Sequence, residues 1–162
     1  EVDFYDKPLG YAYSKIFQAI TGGGGGTPPP PPPPGGATGP ITGFGGKCVD
    51  IAGANSADGT QVQLFTCNGT GAQSWTVESN NTYQALGKCL DVAGAGTANG
   101  TKVQLFTCNG TGAQSWTHTS SNQLVNATSG KCLDATGVSS ADGTPLQIWS
   151  CSGGANQSWN IP

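Results

Sequence analysis

Three times in this chain an aspartate follows Cys-Val or Cys-Leu, a glutamine comes thirteen residues later, and an aromatic ring fifteen residues later. The sets are Asp50, Gln63 and Phe65; Asp91, Gln104 and Phe106; Asp134, Gln147 and Trp149. An ionised carboxylate offers acceptors only, and charged acceptors make the stronger hydrogen bonds, so such an aspartate suits two adjacent hydroxyl donors. A glutamine adds a donor and an acceptor. An outward ring suits the C–H face of a pyranose, whose hydroxyls then need polar partners at the rim. Two plainer roles also fit: an aspartate bonding its own turn, and a ring covering a disulfide.

Catalysis fits these residues poorly. Between residues 40 and 162 the carboxylates are the three repeated aspartates, the turn residues Asp58 and Asp142, and Glu78. Equivalent positions on separate lobes face different directions, so no two are expected to flank one glycosidic bond at the ~5–9.5 Å that hydrolysis requires. His118 is the single histidine and has no evident nucleophile beside it. One histidine and no Cys-x-x-Cys pair also argue against a metal site. The sequence predicts a non-catalytic binding role with no cofactor.

Composition narrows the partner. Charged residues are 9% of the chain, arginine is absent, the six lysines form no cluster, and the net charge is -3. Phosphate recognition needs basic patches, so neither nucleic acid nor an anionic membrane is expected as partner. No apolar run reaches membrane-spanning length. No signal-peptide pattern is evident, and a chain opening on Glu without any Met reads as a mature protein or a fragment of one.

The elements that must position these residues come from a repeat. Cysteines 48 and 67, 89 and 108, and 132 and 151 are each 19 residues apart. An even count at a repeated spacing predicts disulfides and an oxidising, extracellular compartment. Connectivity is not fixed by sequence, but Cys48–Cys67, Cys89–Cys108 and Cys132–Cys151 are the simplest pairs. Val62–Thr76 and Val103–Thr117 are identical, and Leu146–Asn160 is an edited third copy. A period near forty suggests a propeller blade or a trefoil lobe. Three copies are too few for a propeller, so an all-β trefoil of about twelve short strands is expected.

Lys47–Ala52 and Thr60–Cys67 read as strands, the second with Val62 and Leu64 inward and Gln63 and Phe65 outward. Asp58-Gly59, Asn99-Gly100 and Asp142-Gly143 read as hairpin turns. Gln73-Ser74-Trp75-Thr76 reads as the start of a further strand. Trp75, Trp116 and Trp159 are expected in a shared core. Six Asn-x-Ser/Thr patterns, at Asn68, Asn80, Asn99, Asn109, Asn126 and Asn156, read as turn chemistry.

Outside the repeat, residues 1–21 read as the tail of a preceding domain. Residues 22–39 read as a linker, with seven consecutive prolines forming a semi-rigid spacer about 20 Å long. Residues 40–162 are the folded unit.

Gln-x-Trp recurs as Gln73-Ser74-Trp75, Gln114-Ser115-Trp116 and Gln157-Ser158-Trp159. With Cys-Val/Leu-Asp and the paired cysteines, this pattern resembles the ricin B-type lectin domains, and in particular the family 13 carbohydrate-binding modules of bacterial secreted enzymes. The resemblance covers residues 40–162. It implies a β-trefoil joined to a glycoside hydrolase through a Gly- or Pro-rich linker, and a polysaccharide or oligosaccharide ligand. It also implies a secreted monomer tethered to its catalytic domain.

It implies further that the repeated aspartates bind sugar and that an asparagine before the Gln of Gln-x-Trp contacts a hydroxyl. Here Ala72 and Ala113 occupy that position in copies one and two, and Asn156 in copy three. The third copy therefore holds the full set, Asp134, Gln147, Trp149 and Asn156, with Gln157 behind. Gln73, Gln114 and Gln157 either satisfy backbone groups or brace the site. The second function that fits is a protein-interaction trefoil of inhibitor type, binding through loops.

Overall fold

The computed structural model describes residues 36–162, so the expectations for residues 1–21, and for the linker before Gly36, lie outside the described part. Eleven strands form: β1 (Thr38–Gly39), β2 (Cys48–Ile51), β3 (Thr60–Phe65), β4 (Trp75–Val77), β5 (Tyr83–Ala85) and β6 (Lys88–Val92), then β7 (Val103–Phe106), β8 (Trp116–His118), β9 (Leu124–Asn126), β10 (Cys132–Ala135) and β11 (Leu146–Trp149). The repeat leads to twelve positions, four per lobe. Two are filled by single bridging residues, because Thr42 pairs with both Cys48 and Asn160. Strand β1 is an addition that lies in the segment read as linker and pairs with β4.

Alternation explains the hairpins. In β3, Val62 and Leu64 are fully buried while Phe65 reaches the surface. The same occurs in β7 and β11. Each of these strands pairs with the Cys-x-Asp strand before it, and the registers are equivalent: Asp50 faces Gln63, Asp91 faces Gln104, and Asp134 faces Gln147.

The lobes close by passing strands around a threefold axis. The last strand of one lobe pairs with the first of the next through β4–β5, β8–β9 and the Asn160–Thr42 bridge. A second ring joins the third strands: Gln61 pairs with Gln104, Lys102 with Gln147, and Gln63 with Pro145. The shared core contains Trp75, Trp116 and Trp159, all essentially inaccessible. Each indole N–H donates to a carbonyl, of Val49, Leu90 and Leu133 respectively, at 2.9–3.0 Å. The rings therefore bury a large apolar area without stranding a donor.

The three expected disulfides are present, each within one lobe, with Cα–Cα separations of 5.1 Å. Closing a loop of this length stabilises the fold by about 3 kcal/mol in the chain-entropy account.

Two local expectations are corrected. Gln73-Ser74 does not begin a strand: Gly71–Gln73 is a 3-10 turn, as are Gly112–Gln114 and Ala155–Gln157, and the strands start at the tryptophans. The cause is the glutamine side chain, which acts as a surrogate peptide group. Gln73 Oε1 accepts from Asn68 N–H and its Nε2 donates to the Thr66 carbonyl, which folds the segment back on itself.

The Asp-Gly and Asn-Gly pairs are also not tight two-residue hairpins. They end a longer connection that begins with another 3-10 turn, such as Ala52–Ala54, and only the glycine has positive φ, +90° at Gly59. A two-residue type I′ turn needs positive φ at both central residues.

These turns instead clasp neighbouring lobes. The Asp58 carboxylate accepts from Thr107 N–H and hydroxyl, Asp142 from Thr66, and Asn99 Oδ1 from Ser150. Strand β3 stops at Phe65 because the next N–H is taken by Asp142 at 2.8 Å. Lys88 pairs with Asp58 at 2.9 Å and Lys47 with Asp142 at 3.2 Å. Bonds from Lys88 chiefly, against opposing desolvation, hold the Asp58 carboxyl below the usual range. For Asp142 desolvation is the largest influence and raises it, but bonds from Thr66 and Lys47 together outweigh it and leave the carboxyl lowered.

Candidate functional site

Lobe three brings its residues together on one outward face. Asp134 lies in β10, Gln147 and Trp149 in β11, and Asn156 and Gln157 in the following 3-10 turn. Asp134 is paired with Gln147 and Cys132 with Trp149, so the carboxylate and the ring are diagonal neighbours. Diagonal partners of this kind lie ~7–8 Å apart at the backbone, within reach of an aromatic side chain. Leu133, Ala135, Leu146 and Ile148 point the other way, into the core.

The carboxylate is held tightly. Asp134 Oδ1 accepts from Gln147 Nε2 at 2.9 Å; Oδ2 accepts from Gln157 Nε2 at 2.8 Å and Asn156 Nδ2 at 3.1 Å. A carboxylate has about four lone-pair sites, so three internal donors leave one for a ligand hydroxyl. Asn156 Nδ2 also donates to the Ala135 carbonyl at 3.2 Å, and its amide oxygen lies over Gly154, where an added Cβ would come within 2.8 Å of it. Asp134 is 4% exposed and Trp149 43% exposed. The geometry is a deep, fixed acceptor beneath the edge of an open ring.

The equivalent faces are less complete. Asp50 accepts from Gln63 at 2.9 Å and Gln73 at 3.1 Å. Asp91 accepts from Gln104 at 2.8 Å, and the Gln114 amide, beside the carboxylate, donates to the Thr107 carbonyl at 2.9 Å. Ala72 and Ala113 are buried where Asn156 stands in lobe three. Desolvation raises the Asp91 carboxyl; the amides of Gln104 and Gln114 offset this only in part, and the Asp58 charge adds to it. Phe65 is exposed and Phe106 half-buried.

Both roles considered for the Gln-x-Trp glutamine are filled at once in lobes one and three, since Gln73 and Gln157 bond backbone and aspartate together. Asn68, Asn80 and Asn109 accept from the threonine two residues on, as turn residues do.

Sequence reasoning overlooked the rim. The lobe-two turn carrying Asn99-Gly100 borders the lobe-three face: a Cβ added to Gly100 would meet Gln147 Oε1 and Trp149 Cζ3, both at 3.8 Å. Val138 follows Asp134 by four residues, is 64% exposed and has φ +54°. A β-branched residue in the left-handed region is strained. Ala54 and Ala95 hold that place in lobes one and two, so the substitution was the available signal.

Residues 37–159 match the ricin-type beta-trefoil lectin domain family. The structure resembles a designed threefold-symmetric protein, ThreeFoil, with a TM-score of 0.69 and 31% identity over 75% of this chain and 95% of that one. It also resembles a non-toxic homologue of type II RIPs from Momordica charantia, solved in complex with alpha-methyl-D-galactoside. There the TM-score is 0.71 with 32% identity over 79% of this chain and 48% of that one. A glucan endo-1,3-beta-glucosidase of Cellulosimicrobium cellulans is 48% identical over 40 residues, which are 25% of this chain and 7% of the enzyme.

Proposed function

The chain belongs to the ricin-type β-trefoil lectin domain family, and on that premise we propose that it is a non-catalytic carbohydrate-binding module of a secreted polysaccharide-degrading enzyme. Residues 40–162 bind sugar, residues 22–39, apart from Thr38–Gly39 that pair with β4, space the module, and residues 1–21 end the preceding domain, a glycoside hydrolase. The similarity to a short segment of a glucanase supports that attachment, and the three disulfides support an extracellular setting.

The observation that carries the reading is the lobe-three arrangement, in which three amides fix Asp134 beside an exposed Trp149. A pyranose stacks its C–H face on Trp149 and donates one hydroxyl to Asp134, which Asn156 helps to fix. Such a site is shallow and weak. Up to three sites on one module gain strength by engaging one polymer together, with lobe three dominant and lobes one and two contributing less.

The test is retention on insoluble β-glucan with Trp149→Ala. The ring is exposed, so the melting temperature stays constant while retention falls by an order of magnitude. Full retention by this variant would sink the proposal.

A further inference from the structure

The residue two places before the site glutamine differs in every lobe: Gln61, Lys102 and Pro145. Strand alternation puts it on the outward face. Lys102, Gln104 and Phe106 alternate with Val103 and Leu105, which are buried in the core. Backbone pairing agrees, because Gln61 lies opposite Gln104 and Lys102 opposite Gln147, and directly opposed residues share a face. In lobe one the side chain at this place joins the hydrogen bonds of the site: Gln61 Nε2 donates to Gln63 Oε1 at 3.1 Å, and Gln63 in turn holds Asp50.

In lobe two the same place carries an ammonium, and its partner fixes where it lies. Lys102 Nζ donates to the Gly59 carbonyl at 2.7 Å. Gly59 is tied to β7 by its own N–H, which donates to the Leu105 carbonyl at 2.8 Å, and a Cβ added to it would lie 3.9 Å from Gln104 Oε1. It is the counterpart of Gly100, which borders both Gln147 and Trp149 in lobe three. The ammonium therefore sits at the rim of the face that holds Asp91, Gln104 and Phe106. A neutral carbonyl does not cancel its charge. Asp58, the residue before Gly59, pairs with Lys88 at 2.9 Å, and among the described residues no carboxylate lies within ion-pair distance of Lys102.

We infer that the lobe-two face selects saccharides bearing an anionic substituent, which Lys102 engages beside the sugar held by Asp91, Gln104 and Phe106. Lobe one offers an amide at this place and lobe three a proline without a donor, so the preference belongs to lobe two alone. The inference rests on the sugar-binding reading and adds a ligand class to it. An exposed charge pair of this kind changes affinity by about two- to fivefold, and less as salt rises.

The experiment measures retention of the whole chain on an unmodified β-glucan, on the same glucan partly oxidised to C6 carboxylates, and on the same glucan partly sulfated. At low salt the wild type gains about two- to fivefold on at least one anionic form relative to the neutral one, and the gain shrinks as salt rises. Lys102→Gln, which writes the lobe-one residue into lobe two, abolishes the gain, and Lys102→Arg keeps it. Trp149→Ala lowers retention on all three glucans but keeps the gain, because that ring belongs to lobe three. Melting curves verify that each variant is folded. Which anionic glucan gives the gain tells carboxylate from sulfate. No gain on either, a gain that survives Lys102→Gln, or one that vanishes with Trp149→Ala overturns the inference. Failure to bind any glucan, neutral or charged, counts instead against the sugar-binding reading and takes the inference with it.

Discussion

Lobe three and its two siblings share a scheme of interior bonds and differ in the residues that carry the outward face. The indole, its carbonyl partner, the disulfide and the Asp–Gln register are the same in all three. Aliphatic residues exchange in the core, as Leu146 and Ile148 do for Val62 and Leu64, while the outward face changes chemistry: Trp149 for phenylalanine, Asn156 for alanine and, in the turn beside it, Asn99 for aspartate. Core volume must be matched across the axis, because any gap is felt by all three lobes. The rim touches solvent and can change one lobe at a time.

The comparison breaks most sharply at the tryptophans. Trp75→Ala, Trp116→Ala and Trp159→Ala each lower stability by about 3–5 kcal/mol, and by the same amount within error, in denaturant unfolding. A lobe that loses far less than the others would end the idea of one shared core. Asn156→Ala copies lobes one and two into lobe three. It removes bonds to Asp134 and the Ala135 carbonyl, costs about 1–2 kcal/mol, and weakens polysaccharide retention. Val138→Gly relieves the positive-φ strain and raises stability by about 1 kcal/mol, whereas Ala54→Gly gains less, since alanine lacks the β-branch.

The smallest effect separates charged clasps from the neutral one. The folded-state pKa values of Asp58 and Asp142 are depressed, so their contribution is present above the unfolded carboxyl pKa and is lost as pH falls through the folded value. Asp58→Asn or Asp142→Asn therefore flattens the acid side of a melting-temperature profile below about pH 4. Asp91 has the opposite sign: its raised carboxyl makes stability fall as pH climbs from the unfolded pKa through the folded one.

Much of this was legible in the residues. Cysteine spacing and the repeated block lead to three lobes, and alternation in Val62–Phe65 gives the side from which the ring emerges. What was hidden is long-range. Asp58 and Thr107 are 49 residues apart, and no local pattern says that a turn aspartate will hold the next lobe. The depth of Asp134 was hidden for the same reason, because its donors come from positions 13, 22 and 23 residues further on. The 3-10 turn at Gln73 follows from side-chain bonds to Thr66 and Asn68, which hydrophobic periodicity does not register.

The confinement of each disulfide to its own lobe has an engineering consequence. No disulfide crosses a lobe boundary, so apart from the continuous main chain the forty-odd-residue units meet through strand pairing, core packing and clasps. A gene with the third unit written three times in tandem would build a protein presenting the same tryptophan face in three directions.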